Sequence, residues 1–227
     1  MFTDLFNLFF PRHCVCCSNS LYRDEEVLCL RCRFHLPATG FEKDPDNVVA
    51  RAFWGRVPLR SATAGYVFRK GNKVQKLVHR LKYRDDQSLG EFMGRMLGQR
   101  LLEGGALHGV ELLIPVPLHP RKLRKRGYNQ SECIARGLSQ ALGLPLDTKS
   151  LVRASFTSTQ TRKGRYARWE NVSEAFRLRP GHPLKGKRVL LIDDVITTGA
   201  TLEAAAMRLL EEGVEEVSVT AFASTLQ

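Results

Sequence analysis

The chain has 227 residues, 43% of them hydrophobic, and a net charge of +12. That is the composition of a globular protein with one substantial core and a small appendage, and it excludes an intrinsically disordered chain. The charge is uneven: residues 61–190 carry +17, against +1 for 1–60 and −6 for 191–227. Such a field favours polyanions, whether a pyrophosphate-bearing substrate or a nucleic-acid backbone, without deciding between them.

Residues 5–10 form a greasy run that lacks a basic leader, is interrupted by Asn7 and is too short to span a bilayer. A short amphipathic segment packed on its own domain is the expectation, with no stable membrane insertion and a cytoplasmic location. Five of the six cysteines then crowd between Cys14 and Cys32. Cys14-x-x-Cys17 and Cys29-x-x-Cys32 form two knuckles, and four thiolates suit the tetrahedral preference of zinc. Disulfides are disfavoured in a reducing cytoplasm. An iron–sulfur cluster would use the same ligand type, and zinc is favoured over it. Cys16 is a surplus thiol that could replace Cys17 by a one-residue slip, though the spacing favours Cys17. Residues 1–37 thus read as a zinc-binding double-knuckle segment.

Residues 38–60 show little periodicity, with Pro45 and Pro58 interrupting them, and read as a linker to a domain over 61–227. Within that domain a short strand is expected over 62–68 and a helix over 72–83, with Val74, Leu77, Val78 and Leu81 at helical spacing. A second helix follows over 87–102. The segment 82–86 only joins the two, and its acids follow no strand. Residues 111–116 read as a buried strand ended by Pro115 and Pro117. A basic loop through Arg121, Lys122, Arg124, Lys125, Arg126 and Gly127 leads into a helix over 131–142, with Cys133 as a buried helix residue. Strand, basic glycine turn and helix form a unit of the kind used at anion sites.

Residues 151–176 are polar, basic and poor in core residues, and read as a mobile flap. Next, 181–187 has the glycine spacing of a P-loop but lacks its context, since Arg188 replaces the required hydroxyl residue and the segment precedes a strand. The run Val189 to Ile192 is the pattern of a parallel strand buried on both faces, and such strands place ligands at their C-terminal ends. There Asp193 and Asp194 can accept hydrogen bonds from two vicinal hydroxyls, as on a ribose. Gly199 lets backbone amides close on a phosphate at the start of the next helix, while Thr197, Thr198 and Thr201 add hydroxyl donors. An amphipathic helix over 201–212 and a strand over 214–222 complete the chain.

The string Val189–Thr201 resembles the phosphoribosyl-pyrophosphate (PRPP) motif of type I phosphoribosyltransferases. Taken with the cysteine knuckles, with residues 114–119 and with Arg126-Gly127-Tyr128-Asn129-Gln130, it resembles the ComF family (ComF/GntX-like competence proteins). Gln160, Arg165, Asn171 and Phe176 also stand at matching places. The resemblance implies an α/β fold with a central parallel sheet flanked by helices, preceded by a zinc-ribbon-like segment. It further implies that Asp193 and Asp194 hold the ribose hydroxyls and that Thr197, Thr198, Gly199, Ala200 and Thr201 cradle the 5-phosphate. Arg126 and Gly127 would take the pyrophosphate, with Arg121 or Lys122 as further candidates, and Arg165 would close over the site. Mg2+ would accompany PRPP, and single-stranded DNA and DNA-uptake proteins are the implied partners. A non-catalytic nucleic-acid-binding module, with the pocket as sensor or relic, is the alternative. No residue stands out as a general base.

Overall fold

A computed structural model describes residues 11–83, 86–105, 107–153, 175–181 and 184–226. Its centre is a four-stranded parallel sheet in the order β1-β6-β5-β2, built from β1 (Ser61–Val67), β2 (Leu112–Pro115), β5 (Arg188–Ile196) and β6 (Glu216–Ser224). A separate antiparallel ribbon joins β3 (Leu151–Arg153) to β4 (Phe176–Leu178). Along β5 the side chains alternate between two cores. Leu190 and Ile192 enter one, while Val189 and Leu191 enter the other. A strand covered on both faces needs the uninterrupted apolar run seen in the sequence.

The first core lies under α3 (Lys73–Tyr83), α4 (Gln87–Gly104) and α6 (Gln130–Leu142). All four apolar positions expected on α3 are buried, and so is Cys133 on α6. Contact between α4 and α6 is set by glycine. A Cβ on Gly94 would lie 2.0 Å from the Ile134 carbonyl oxygen, and one on Gly137 would lie 1.9 Å from that of Glu91. No side chain fits there, so the helix backbones touch directly. The second core lies under α7 (Ala200–Glu211), the β3–β4 ribbon and α2 (Val48–Arg51).

Three expectations are corrected. Residues 38–60 are no linker: a 3-10 turn at Phe41–Lys43 leads into α2, where Asn47 caps the amides of Val49 and Ala50. Val49, Phe53 and Val57 are buried in the second core. Their spacing of four was masked by the flanking prolines. The basic loop 121–126 is also helical, forming α5 (Pro120–Arg126), with proline at its first turn, His119 capping it and Gly127 ending it at φ 81°. Finally, the central strand runs four residues beyond Ile192, so the acid pair lies within it.

The cysteine-rich segment is docked on the first core. Cys14, Leu28, Cys32 and Leu36 share that core with Leu77 and Met93, and α1 (Leu30–Phe34) opens with Cys29 as its cap. Among the described residues, no helix is long and apolar enough to cross a membrane.

Candidate functional site

The opening for a ligand is made where β2 stops and β5 continues. Val116 donates its amide to the Ile192 carbonyl at 2.9 Å, and the ladder stops there because the Val116 carbonyl is taken by the Asn129 side chain and the Asp194 amide turns to Asp193 Oδ1. Beyond this point β5 stays paired with β6 through Asp193–Ala221 and Val195–Ala223, while its other edge is freed. The acid pair sits on that freed edge.

Three elements hold the two carboxylates. Ser131, in the first turn of α6, donates its hydroxyl to Asp193 Oδ1 at 2.8 Å, and the Asp194 amide donates to the same oxygen at 2.8 Å. Lys82, near the end of α3, places Nζ 2.8 Å from Asp194 Oδ2, with both side chains largely enclosed. Burial, then the neighbouring Asp194 charge, pushes the Asp193 carboxyl up to about 7, against the pull of its two hydrogen bonds. In the free protein Asp193 therefore titrates near neutrality.

Turning away from the sheet, the chain passes Thr197 and Thr198 to Gly199, which caps α7 in the left-handed region at φ 78°. Glycine is needed there twice over, because a Cβ would also lie 2.7 Å from the Phe53 ring. Arg56 pins the turn from below, donating to the Thr198 carbonyl at 3.3 Å and pairing with the buried Glu203 of α7. Asp193 and the turn line one recess. Thr197, Thr198 and Ala200 are exposed at its rim, and Thr201 is half-buried.

Of the basic residues of α5, Arg126 alone is partly buried, while Arg121, Lys122, Arg124 and Lys125 are exposed. Arg126 donates to Gln130 at 2.8 Å and lies over the Tyr83 ring, 5.8 Å from its centroid. Tyr128 donates its hydroxyl to the Leu81 carbonyl, and Asn129 donates to the Val116 carbonyl at 3.0 Å. The segment 126–131 is thereby fastened both to the end of α3 and to the acid pair. Arg165, expected to close over the site, lies outside the described residues, as do Gln160 and Asn171. The ends of that segment are joined by the β3–β4 ribbon.

Sequence reasoning identified Asp193, Asp194 and the 197–201 turn, which the structure brings together. It missed Lys82, Ser131, Phe53 and Arg56. For Lys82 the only signal was its place just before Tyr83 at a helix end; for Ser131 it was adjacency to the Asn129-Gln130 pair.

The cysteines form a second site. The sulfurs of Cys14, Cys17, Cys29 and Cys32 all lie within 4.8 Å of one another, with Cys17 and Cys29 at 3.7 Å. A tetrahedron of Zn–S bonds about 2.3 Å long has edges of about 3.8 Å, so the four fit one ion with little closing. Cys16 is turned away, with its sulfur 3.8 Å from the Lys73 carbonyl, and burial pushes its thiol up to about 11. Cys17 is the member of the cluster.

A parallel sheet whose central strand carries an acid pair beside a phosphate-type turn, with helices on both faces, defines a type I phosphoribosyltransferase-fold protein, here with a four-cysteine cluster docked on one core. Residues 129–226 match the phosphoribosyl transferase domain family. The DNA utilization protein YhgH of Salmonella typhimurium is 33% identical over 153 residues, covering 66% of this chain and 66% of that protein. That of Escherichia coli K12 is 29% identical over 221 residues, covering 94% and 90%. Competence protein F of Haemophilus influenzae is 33% identical over 147 residues, covering 63% and 64%. The chain belongs to the ComF family. Its alignments with the Salmonella and Haemophilus proteins span about two thirds of their lengths.

Proposed function

We propose that the chain binds PRPP with Mg2+ at the acid-pair site and works in the cytoplasm in the use or uptake of DNA, as the names of its relatives suggest. The observation that carries this reading is the meeting of Asp193, Asp194 and the 197–201 turn on the freed edge of β5. The carboxylates accept from the ribose 2- and 3-hydroxyls, and the turn receives the 5-phosphate at the start of α7. Mg2+, bound together with the ligand beside Asp193 and Asp194, would offset the negative charge of the pyrophosphate. Arg126 and the exposed Gly127 turn face the pyrophosphate end, and the family resemblance gives Arg165 the task of covering the site. When pyrophosphate departs, a preorganised cation beside its oxygens lowers the barrier by about 3 to 4 kcal/mol. The product is ribose 5-phosphate attached to an acceptor.

The four cysteines hold a structural zinc ion in this reading. Around them Tyr22 and Phe34 are 81% and 87% exposed, among the exposed Arg12, Arg23, Arg31 and Arg33. Exposed rings interleaved with cations suit single-stranded DNA, whose bases stack and whose phosphates pair.

Calorimetry with PRPP and Mg2+ tests the pocket. Wild type should bind, and the double variant Asp193→Asn with Asp194→Asn should lose at least about tenfold in affinity. Wild type without Mg2+-dependent binding would sink the pocket reading. Titration with a single-stranded oligonucleotide across salt tests the second surface. Affinity should fall steeply with salt and drop on changing Tyr22 and Phe34 to Ala. A flat salt dependence would count against phosphate contacts.

A further inference from the structure

Lys82 is the one cation among the described residues seen to reach the acid pair, and nothing in the motif itself requires it. Its ammonium meets Asp194 Oδ2 at 2.8 Å, yet Asp194 is the carboxylate that the PRPP reading gives to a ribose hydroxyl. The lysine therefore occupies a position that a ligand must enter or border. Its neighbours on α3 point to which part of the ligand. Leu81, just before it, accepts the Tyr128 hydroxyl, and Tyr83, just after it, lies beneath the Arg126 guanidinium. Both Tyr128 and Arg126 flank Gly127. Lys82 thus stands between the acid pair and the glycine turn.

The electrostatics give it a task. A phosphoribosyl ligand brings several negative charges toward two adjacent carboxylates, and approach is repulsive unless cations lie between them. Arg126 already spends one N–H on Gln130. Lys82 has a flexible stem and three donors, so it can release Asp194 to the sugar and turn its charge on the pyrophosphate without leaving its helix.

Resting on the PRPP reading, we infer that Lys82 is a ligand-binding cation of this pocket, contacting the pyrophosphate group at C1 and not the sugar or the 5-phosphate. The competing role is a structural ion pair that merely orients Asp194. The two roles differ in which ligand they affect, because ribose 5-phosphate presents the hydroxyls and the 5-phosphate but no pyrophosphate.

The experiment is calorimetry of wild type, Lys82→Met and Lys82→Arg with Mg2+ plus either PRPP or ribose 5-phosphate, with melting curves for each protein. Loss of one charge-assisted contact should weaken PRPP binding to Lys82→Met by about ten- to a hundredfold, and ribose 5-phosphate binding by less than about threefold. Lys82→Arg should regain most of the PRPP affinity. Equal losses for both ligands would overturn the assignment in favour of the orienting role, and unchanged PRPP affinity in folded Lys82→Met would overturn it outright. Should Lys82→Met not fold, Lys82→Gln carries the same comparison. Wild type that binds neither ligand overturns the pocket reading itself, a result distinct from a wild type that binds both while the variant keeps its PRPP affinity.

Discussion

The cysteine cluster and the acid pair are built on opposite plans. The cluster draws all four ligands from two short knuckles, Cys14 to Cys17 and Cys29 to Cys32, so nearby sequence nearly completes it. The acid pair supplies only its two carboxylates locally, and takes Ser131 from α6, Lys82 from α3 and its neighbouring turn's support from Phe53 and Arg56. On the zinc reading, one site relies on an ion to hold like ligands together. The other carries its own countercharge and needs correct packing of distant helices. Damage should therefore propagate differently from each.

The largest effect is expected at the cluster. Replacing Cys14 and Cys17 with Ser should take bound zinc from about one equivalent to none and lower the melting temperature by about 10 °C or more, since metal affinity there is folding energy. PRPP affinity of the protein that remains folded should change less than about threefold. The far end of α3 has its own anchors, the Tyr128–Leu81 hydrogen bond and the Arg80–Asp86 pair at 2.9 Å. Metal analysis, melting curves and calorimetry read the three quantities. A tenfold loss of PRPP affinity would show that the knuckles, through Lys76 and the Cys16 carbonyl 3.1 Å away, also set the position of Lys82.

A smaller effect with the opposite pattern is expected at the α4–α6 seam. Gly94→Ala places its new Cβ against a backbone oxygen that no rotamer change can move, so the helices must separate. Overpacking of this kind should cost about 3 kcal/mol, measured as a shift in urea midpoint. Because α6 carries Ser131, PRPP binding should weaken as well, while zinc content stays at one equivalent. Zinc loss in Gly94→Ala would mean that the two sites share one cooperative unit.

The same contrast explains what was legible in the sequence. The CxxC pairs and the string Val189–Thr201 are local chemistry, and they marked the four cysteines that cluster and the acid pair on the freed edge of β5. Strands and helices with strong periodicity, such as Val74 to Leu81, were equally plain. What escaped were contributions across distance. Phe53 lay in a stretch that looked like a linker because Pro45 and Pro58 hid a short buried turn. Lys82 looked like a surface residue at a helix end, since nothing local says that α3 finishes beside β5. The basic stretch 121–126 looked like a loop because it has charge and no apolar stripe, and indeed it buries no residue. Its helix is set by the His119 cap and Pro120.

The finest distinction is between the two acids, and pH reads it. Asp193 keeps its proton up to about 7, whereas an unfolded aspartate ionises near 3.8. Between these values the native state binds more protons than the unfolded state, so this residue's contribution to stability falls as pH rises from 4 to 7 and stays constant above. Asp193→Asn removes that penalty while Asn Oδ1 can still accept from Ser131 and the Asp194 amide. Its melting temperature relative to wild type should therefore rise between pH 5 and pH 8. Ligand binding runs the other way. The ribose hydroxyls need an ionised acceptor, so wild-type binding of PRPP at pH 6 should expel a proton from Asp193, seen as a buffer-dependent calorimetric heat. Phosphate groups of the ligand titrate near pH 6 and contribute their own heat, which the same measurement on Asp193→Asn subtracts. If the two proteins give the same buffer dependence, Asp193 does not titrate on binding, and the ionised-acceptor role given to it fails.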